Sequence, residues 1–250
     1  MRKSVSKVTH AILAFIFLTI LWWLASVILN KNMLPTPFAV YRHLMVIEPQ
    51  VLWLHTYNSL VRLFWAMLIA VLIGLIIGLL MGRFPKINQL LDPIVYLTYP
   101  IPKIALLPII MLLFGLGNAS KIILLVLIIV FQVILSVRDG VKSIPKSYYH
   151  HLYVLGASQF QQFCKITLPA AYSAILNAVR IALGTAIAIL FFTEVYGTSY
   201  GLGFFIMDAW GRLDYLDMYS GILALSLVAF ILFQMIDFAE NRTNKWRKTY

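Results

Sequence analysis

Lys103 and Arg180 are the residues of this 250-residue chain whose positions most suggest chemistry, because each lies inside a long apolar stretch. If those stretches cross a membrane, both cations fall near its middle, where a charged side chain costs on the order of 3 kcal/mol and usually requires a partner. Acidic partners at that depth are scarce, since Asp92 and Glu194 lie near the ends of their stretches. An anion that passes through the protein could meet the charge. For Arg180 the alternative is structural, with its donors bound to backbone carbonyl groups.

The apolar stretch around Lys103 is interrupted by four prolines. Within residues 90–114 they are Pro93, Pro100, Pro102 and Pro108. Each proline removes a backbone donor and can kink a helix, and the freed carbonyl groups are tolerated in a membrane only where buried protein or a water-filled cavity receives them. We therefore expect this stretch to line a passage, with an irregular helix of purely structural role as the alternative.

Other candidate chemical sites are weak. His150 and His151 are adjacent, but neighbours on a helix point about 100° apart and no carboxylate lies at ligand spacing, so no metal site is expected. The single cysteine, Cys164, allows no intrachain disulfide. The sequence has no phosphate-binding loop of the Gly-x-x-x-x-Gly-Lys-Ser/Thr type, so we expect any ATP hydrolysis to occur in another subunit, and we expect no cofactor.

The polar segment of residues 144–169 lies between two long apolar stretches. Gly156 can end a first short helix in the left-handed conformation, and Ser158 with Gln161 forms a capping box that starts a second. Pro169 stands where a third helix would begin. The pattern therefore predicts a helix, a turn at Gly156, and another short helix that leads into the membrane.

The composition is that of a polytopic membrane protein. Hydrophobic residues make up 62% of the chain and charged residues 12%, which excludes an ordinary soluble domain. The net charge of +11 does not indicate nucleic-acid binding, because the basic residues flank apolar stretches rather than one soluble face.

The apolar stretches predict an all-α protein with six transmembrane helices in a single domain over residues 1–250. Each stretch approaches the roughly 20 residues that a hydrocarbon core requires. The predicted spans are 8–29, 59–81, 90–114, 121–137, 170–192 and 219–238. We expect residues 30–58 to be an external segment, extended at Pro35 and Pro37.

The distribution of basic residues predicts that both termini are cytoplasmic. Four basic residues fall in the segments assigned to the outside, namely Lys31, Arg42, Lys121 and Arg212. Those assigned to the cytoplasm are Arg2, Lys3, Lys7, Arg83, Lys86, Arg138, Lys142, Lys146, Lys165, Arg242, Lys245, Arg247 and Lys248.

The spacing within the polar segment resembles that of a known family. Gly156 is followed after nine residues by Ile166 and then by Leu168-Pro169, which is similar to the cytoplasmic loop of membrane permeases of binding-protein-dependent ABC importers. In that family the loop forms coupling helices that dock into a groove of the ATPase subunit, so we call residues 144–169 the coupling segment. The family's Glu-Ala-Ala is replaced here by His150, His151 and Leu152. The resemblance implies ATPase contacts at His150, His151, Leu152, Gly156, Ala157, Ile166, Leu168 and Pro169.

Further motifs resemble the nitrate, sulfonate and taurine branch of these permeases. They are Pro100 to Pro108, Phe114 to Gly117, Arg180 to Gly184, Glu194, and Gly201 to Gly203. The resemblance implies a permease core over residues 55–240 in the cell membrane, a separate ATPase, an external solute-binding protein and a second permease copy, with a homodimer expected. From the proline-interrupted stretch and the two cations, together with these motifs, we expect a translocation path at Pro100, Pro102, Lys103, Pro108, Arg180 and Glu194. Relatives carry neutral or cationic vitamin precursors too, so the family does not name the solute.

Two other classes of function compete with this interpretation. A self-contained secondary transporter or channel also uses kinked helices and buried ions. Such a protein needs no docking segment for an ATPase, so the predicted helix–turn–helix of the coupling segment favours the ABC permease. An intramembrane enzyme is a distant third, because no His-Glu-x-x-His motif or carboxylate pair lies within a predicted span.

Overall fold

The computed structural model describes residues 2–243, which form α-helices joined by short turns and contain no strand. The helices are α1 (Arg2–Leu29), α2 (Pro37–Val46), α3 (Pro49–Arg83), α4 (Pro85–Thr98), α5 (Leu107–Phe114), α6 (Asn118–Lys142), α7 (Lys146–Val154), α8 (Gln159–Gln162), α9 (Leu168–Val195), α10 (Leu202–Gly211) and α11 (Tyr215–Thr243). Of the basic residues assigned to the cytoplasm, Lys245, Arg247 and Lys248 lie outside the described residues, as do the side chains of Arg2, Lys3, Lys7 and Arg242.

The described helices confirm a polytopic all-α fold. Five helical stretches are long and apolar enough to cross a membrane, and α4 with α5 adds a sixth crossing if this bent pair is one span. The five stretches are Ile12–Leu29, Pro49–Arg83, Asn118–Lys142, Gln159–Val195 and Tyr215–Glu240. These correspond in order to the predicted first, second, fourth, fifth and sixth spans.

Helix α6 is the centre of the packing, with half of its apolar stretch buried against α3, α9 and α5. Small residues allow the close approach of α3. A Cβ atom on Gly78 would lie 2.8 Å from the carbonyl oxygen of Ile134 and 2.8 Å from the Cβ of Val137. Gly74 faces Val133 in the same way one turn earlier. Small residues stand at every fourth position here, namely Ala70, Gly74, Gly78 and Gly82, and this face of α3 is therefore a helix-packing surface.

The prediction of extended structure was wrong at Pro37, whereas Pro35 lies outside any helix. Pro37 occupies the first turn of α2, where its missing N–H would have no partner in any case. The Thr36 side chain caps this helix by accepting a hydrogen bond from the Ala39 N–H at 3.4 Å. Pro49 opens α3 in the same manner, so this helix extends well beyond the apolar stretch that predicted it.

The third predicted span is broken rather than gently kinked. Helix α4 ends at Thr98, a 3₁₀ turn covers Lys103–Leu106, and the helical directions on either side differ by 75°. Pro100 and Pro102 lie in the break, whereas Pro108 lies in the first turn of α5. Two prolines so close together cannot continue a helix, because each lacks the donor and clashes with the preceding turn.

Candidate functional site

The first helix of the coupling segment ends at Gly156 as predicted. Gly156 has a φ of 75° and donates its N–H to the Tyr153 carbonyl at 2.9 Å. The Ala157 N–H reaches back to the Leu152 carbonyl at 3.0 Å. These two bonds form a Schellman motif, which satisfies the last carbonyl groups of α7 and requires a left-handed residue at this position.

The second helix of the coupling segment begins with the predicted capping box. The Ser158 hydroxyl accepts the Gln161 N–H at 3.2 Å, and the Gln161 side chain accepts the Ser158 N–H at 2.8 Å. Helix α8 continues through a π-helical turn over Phe163–Thr167 into α9, which has Pro169 in its first turn. The coupling segment is therefore joined without a loop to a membrane-crossing helix.

The coupling segment is anchored to the C-terminal end of α3. The guanidinium of Arg83 lies 4.6 Å from the ring centroid of Tyr149, and it donates to the Gln162 side chain at 3.1 Å. The Tyr149 hydroxyl lies 3.0 Å from that of Thr167. The coupling segment is therefore attached both to α3 and to the start of α9.

The coupling segment also carries several apolar side chains that no described residue covers. Leu155 is 80% exposed and Phe160 is 75% exposed, with Tyr153 and Val154 similarly open. Of the predicted ATPase contacts, His150, His151, Gly156, Leu168 and Pro169 are exposed, whereas Leu152, Ala157 and Ile166 are half-buried.

Lys103 lies at the break of the third span and is satisfied largely by backbone. Its ammonium group donates to the carbonyls of Thr98 at 2.8 Å and Tyr99 at 3.0 Å, at the end of α4. The same nitrogen lies 4.6 Å from the ring centroid of Phe131 on α6. Pro100 and Pro102 remain exposed beside it. The structural alternative proposed for Arg180, hydrogen bonding to backbone carbonyl groups, therefore describes Lys103 instead.

Arg180 has two acidic partners on α11, so the expectation that such partners are scarce was wrong for this residue. Its guanidinium binds the carboxylate of Asp237 and, at 2.7 Å, that of Glu240. Asp237 lies at the end of the predicted sixth span and Glu240 just beyond it. Helix α11 continues through both residues and brings them alongside α9. Arg180 therefore joins two helices within the chain.

Glu194 is fully buried at the C-terminal end of α9, in a polar cluster that sequence reasoning missed. It accepts a hydrogen bond from Arg62 at 2.6 Å and from the Ser59 hydroxyl at 2.8 Å. The Gly203 N–H donates to its second oxygen at 2.9 Å, and the Leu202 N–H donates to the Ser59 hydroxyl at 2.8 Å. The cluster therefore binds α3, α9 and the start of α10 together. The overlooked signal was Arg62, a charged residue inside the predicted second span.

Two of the cavities among the described residues lie near the C-terminal end of α9. An apolar cavity of about 890 Å³ lies beside α5 and this end of α9, with Pro108 in its wall. A polar cavity of about 650 Å³ lies next to the Glu194 cluster, and it is called the outer polar cavity below because the distribution of basic residues predicts that this side faces outward. The described residues that line the outer polar cavity are Asn58, Arg62, Leu116, Gly117, Asn118, Gly197, Thr198, Ser199 and Tyr200.

Comparison with known proteins shows the family to which this chain belongs. Residues 55–245 match the binding-protein-dependent transport system inner membrane component family. The chain belongs to this family. It is a permease subunit of an ABC importer, and its similarity to the taurine, sulfonate and nitrate permeases agrees with the branch that its motifs predicted.

Individual relatives match over most of their length. The permease is 34% identical to the taurine transport system permease protein TauC of Escherichia coli (strain K12), over 96% of this chain and 90% of that protein. It is 29% identical to the putative aliphatic sulfonates transport permease protein SsuC of Bacillus subtilis (strain 168), over 89% of this chain and 81% of that protein.

Solved structures share the fold. The MetNI methionine ABC transporter in an inward-facing conformation matches with a TM-score of 0.69 at 22% identity, over 80% of this chain and 100% of that one. A bacterial ABC transporter involved in the import of the acidic polysaccharide alginate matches with a TM-score of 0.67 at 17% identity, over 96% of this chain and 98% of that one.

Proposed function

We propose that this permease carries a small oxyanion of the sulfonate class into the cell, driven by a separate ATPase that docks on the coupling segment. The observation that carries the proposal is the uncovered apolar face of α7 and α8 on the cytoplasmic side, around Leu155 and Phe160. An exposed apolar surface outside the membrane favours a protein partner. The anchoring of the same segment to α3 and α9 suits a lever that transmits movement of the ATPase.

The solute class is supported by relatives and by charge. The named relatives include permeases for taurine, aliphatic sulfonates, nitrate and bicarbonate, although others transport formylaminopyrimidine or riboflavin. Lys103 stands at the break of the third span beside exposed Pro100 and Pro102, as a residue lining a passage would. In this proposal Lys103 contacts the passing anion, while Arg180 and Glu194 hold helices in place through their ion pairs.

The assembly in this proposal has two permease copies, two ATPase subunits and an external solute-binding protein. The permease spans the cell membrane, and both of its termini lie in the cytoplasm. The short apolar helix α5, on which Leu112 and Leu113 are largely exposed, offers a surface for the second permease copy. The translocation path then passes between the copies, along Pro100, Pro102, Lys103 and Pro108.

The test is uptake by the permease reconstituted in vesicles with its ATPase and binding protein, using labelled taurine and ethanesulfonate. Lys103→Gln should lower uptake about tenfold, because it removes a charge that the anion meets in a low-dielectric passage, and Lys103→Arg should restore part of the rate. The control is Arg212→Gln, which breaks an exposed pair with Asp208 on the outer surface and should leave uptake unchanged. Wild-type uptake by Lys103→Gln would contradict the role of Lys103, and uptake driven by an ion gradient without ATP would contradict the ATPase mechanism.

A further inference from the structure

We infer that the outer polar cavity is a binding site for the anionic group of the solute, occupied after release from the binding protein and before passage. This inference rests on the proposed function, because it assigns a place and a set of donors to the sulfonate-class solute. The site is distinct from Lys103, which the predicted third span places near the middle of the membrane, whereas the outer polar cavity is formed by the ends of α3, α6 and α9 that are assigned to the outside.

Arg62 supplies the main donor of the outer polar cavity. The residue is only 3% exposed, and its guanidinium is held rigidly on two sides. Its Nε donates to Asn118 at 2.8 Å, and its Nη1 donates to Glu194 at 2.6 Å and to the Tyr200 carbonyl at 2.8 Å. Its Nη2 group donates to no residue that the structure describes, although Arg62 lines the cavity. A buried guanidinium with one free edge is preorganised for an oxyanion.

Asn118 supplies a second donor. Its Oδ1 accepts from Arg62, which assigns the other amide atom as nitrogen. That amide nitrogen makes no hydrogen bond among the described residues, and Asn118 also lines the cavity. The side-chain amide is thus oriented by Arg62 and can donate to the same bound group.

The N-terminus of α6 adds backbone donors at the same wall. Helix α6 begins at Asn118 after Gly117, its first turn has no acidic residue, and no side chain caps it. The first N–H groups of a helix lack partners within it and carry partial positive charge, which favours an anion. The buried and incompletely paired Arg62 lies against this helix end through its bond to Asn118, so side-chain and backbone donors act on one place.

The buried charges around the outer polar cavity sum to a positive value. Arg62 and Lys121 carry two positive charges and Glu194 carries one negative charge, which leaves one positive charge in excess. Lys121 is fully buried, and its ammonium group donates to the carbonyls of Leu116 at 2.7 Å and Gly197 at 3.2 Å. Both of these residues line the cavity, and no acidic residue is among the described lining residues. A negatively charged solute is therefore favoured over a cation or a neutral compound.

Ser199 provides a test that leaves the buried cluster intact. It lies on the exposed wall of the outer polar cavity, and no described residue hydrogen-bonds its side chain. Ser199→Asp places a negative charge opposite the donors without removing any of them. Ser199→Asn adds similar bulk without charge, so a loss caused by size alone would be common to both variants.

The measurement is the KM and kcat for labelled ethanesulfonate and taurine in vesicles that contain the complete transporter, at constant ionic strength. Relative to Ser199→Asn, Ser199→Asp should raise KM about tenfold for ethanesulfonate, because like charges are brought together, with little change in kcat. Leu213→Asp, an exposed outer-surface substitution away from the cavity lining, should leave KM at the wild-type value.

Two results would overturn the inference in distinguishable ways. Equal KM values for Ser199→Asp and Ser199→Asn, or an equal rise in Leu213→Asp, would show that the outer polar cavity does not bind the anion, while leaving the proposed function intact. Failure of the wild-type transporter to take up either sulfonate would instead remove the proposed solute class and the inference with it.

Discussion

Arg62 and Glu194 form the ion pair with the least exposed side chains among the described residues, at 4% and 0%. Removing one member leaves the other buried and uncompensated, which typically costs about 3–5 kcal/mol. Arg62→Met should therefore strongly lower the stability of the purified permease, measured by thermal unfolding in detergent. The double variant Arg62→Met with Glu194→Gln should recover most of the loss, because the glutamine is neutral and can still accept from Ser59 and Gly203.

The exposed pair of Arg212 and Asp208 provides the control for this prediction. Both side chains are about half exposed, so Arg212→Met should cost less than about 1 kcal/mol. Equal losses for Arg62→Met and Arg212→Met would show that the Glu194 cluster does not hold α3, α9 and α10 together.

The positions of buried charged residues were predictable from the sequence, but their partners were not. The sequence places Lys103 and Arg180 within apolar stretches, but it does not show which distant residues reach them. Arg180 meets Asp237 and Glu240 because α9 and α11 lie side by side. Arg62 meets Glu194 through the packing of α3 on α9. Such pairings depend on tertiary packing, which hydrophobic periodicity does not encode.

Gly156 determines the direction of the chain between α7 and α8. A Cβ atom at this position would meet nothing within 4 Å, so its requirement for glycine comes from the φ of 75° alone. A β-branched residue resists this left-handed conformation by roughly 1–2 kcal/mol. Gly156→Val should therefore reorient the turn and abolish transport-coupled ATP hydrolysis, measured in vesicles, while the protein remains inserted in the membrane.

Gly211 provides a matched control, because a Cβ atom there also meets nothing within 4 Å and its φ is not positive. Gly211→Val should retain coupled hydrolysis. Normal coupling in Gly156→Val would place the essential turn of the coupling segment elsewhere.

Gly78 sets the separation of α3 and α6. A Cβ atom would lie 2.8 Å from a backbone oxygen of α6, which cannot move without displacing the helix. We expect Gly78→Ala to cost about 1–3 kcal/mol, as overpacking of a core does, in a thermal unfolding measurement. Gly184→Ala is the control, because its Cβ would lie 3.5 Å from the Phe233 ring, an ordinary contact. If Gly78→Ala is as stable as Gly184→Ala, the close packing of α3 on α6 is not required.

Helix ends and turns were predicted well where the residues that define them are close together in the sequence. The capping box at Ser158 and the left-handed turn at Gly156 depend on nearby residues, and both are present. The prediction that a third helix begins at Pro169 was wrong, because the chain stays helical from Gln159 to Val195. The prolines at 100 and 102 predicted an interruption but not the 75° change of direction. Helices α2 and α10 were missed, because their short sequences lack the long apolar stretches that identified the spans.

The whole molecule is predicted to cross the membrane six times with the coupling segment inside the cell. Reporter fusions after Lys86 and Lys146 should report a cytoplasmic location, and a fusion after Asp208 should report the opposite side. The physical reason is the excess of basic residues in the segments assigned to the cytoplasm. A cytoplasmic signal at Asp208, or an external signal at Lys146, would contradict this topology.

The central claim is that an ATPase docks on the exposed apolar face of the coupling segment. The most direct test of this claim is to measure how much ATPase subunit co-purifies with the permease in mild detergent. The wild-type permease should retain one ATPase per permease copy. Leu155→Glu should lose it, since a charge at a buried apolar contact is costly, while Leu213→Glu on the outer surface should keep it. Purification of an active transporter without any ATPase, or full retention by Leu155→Glu, would contradict the account.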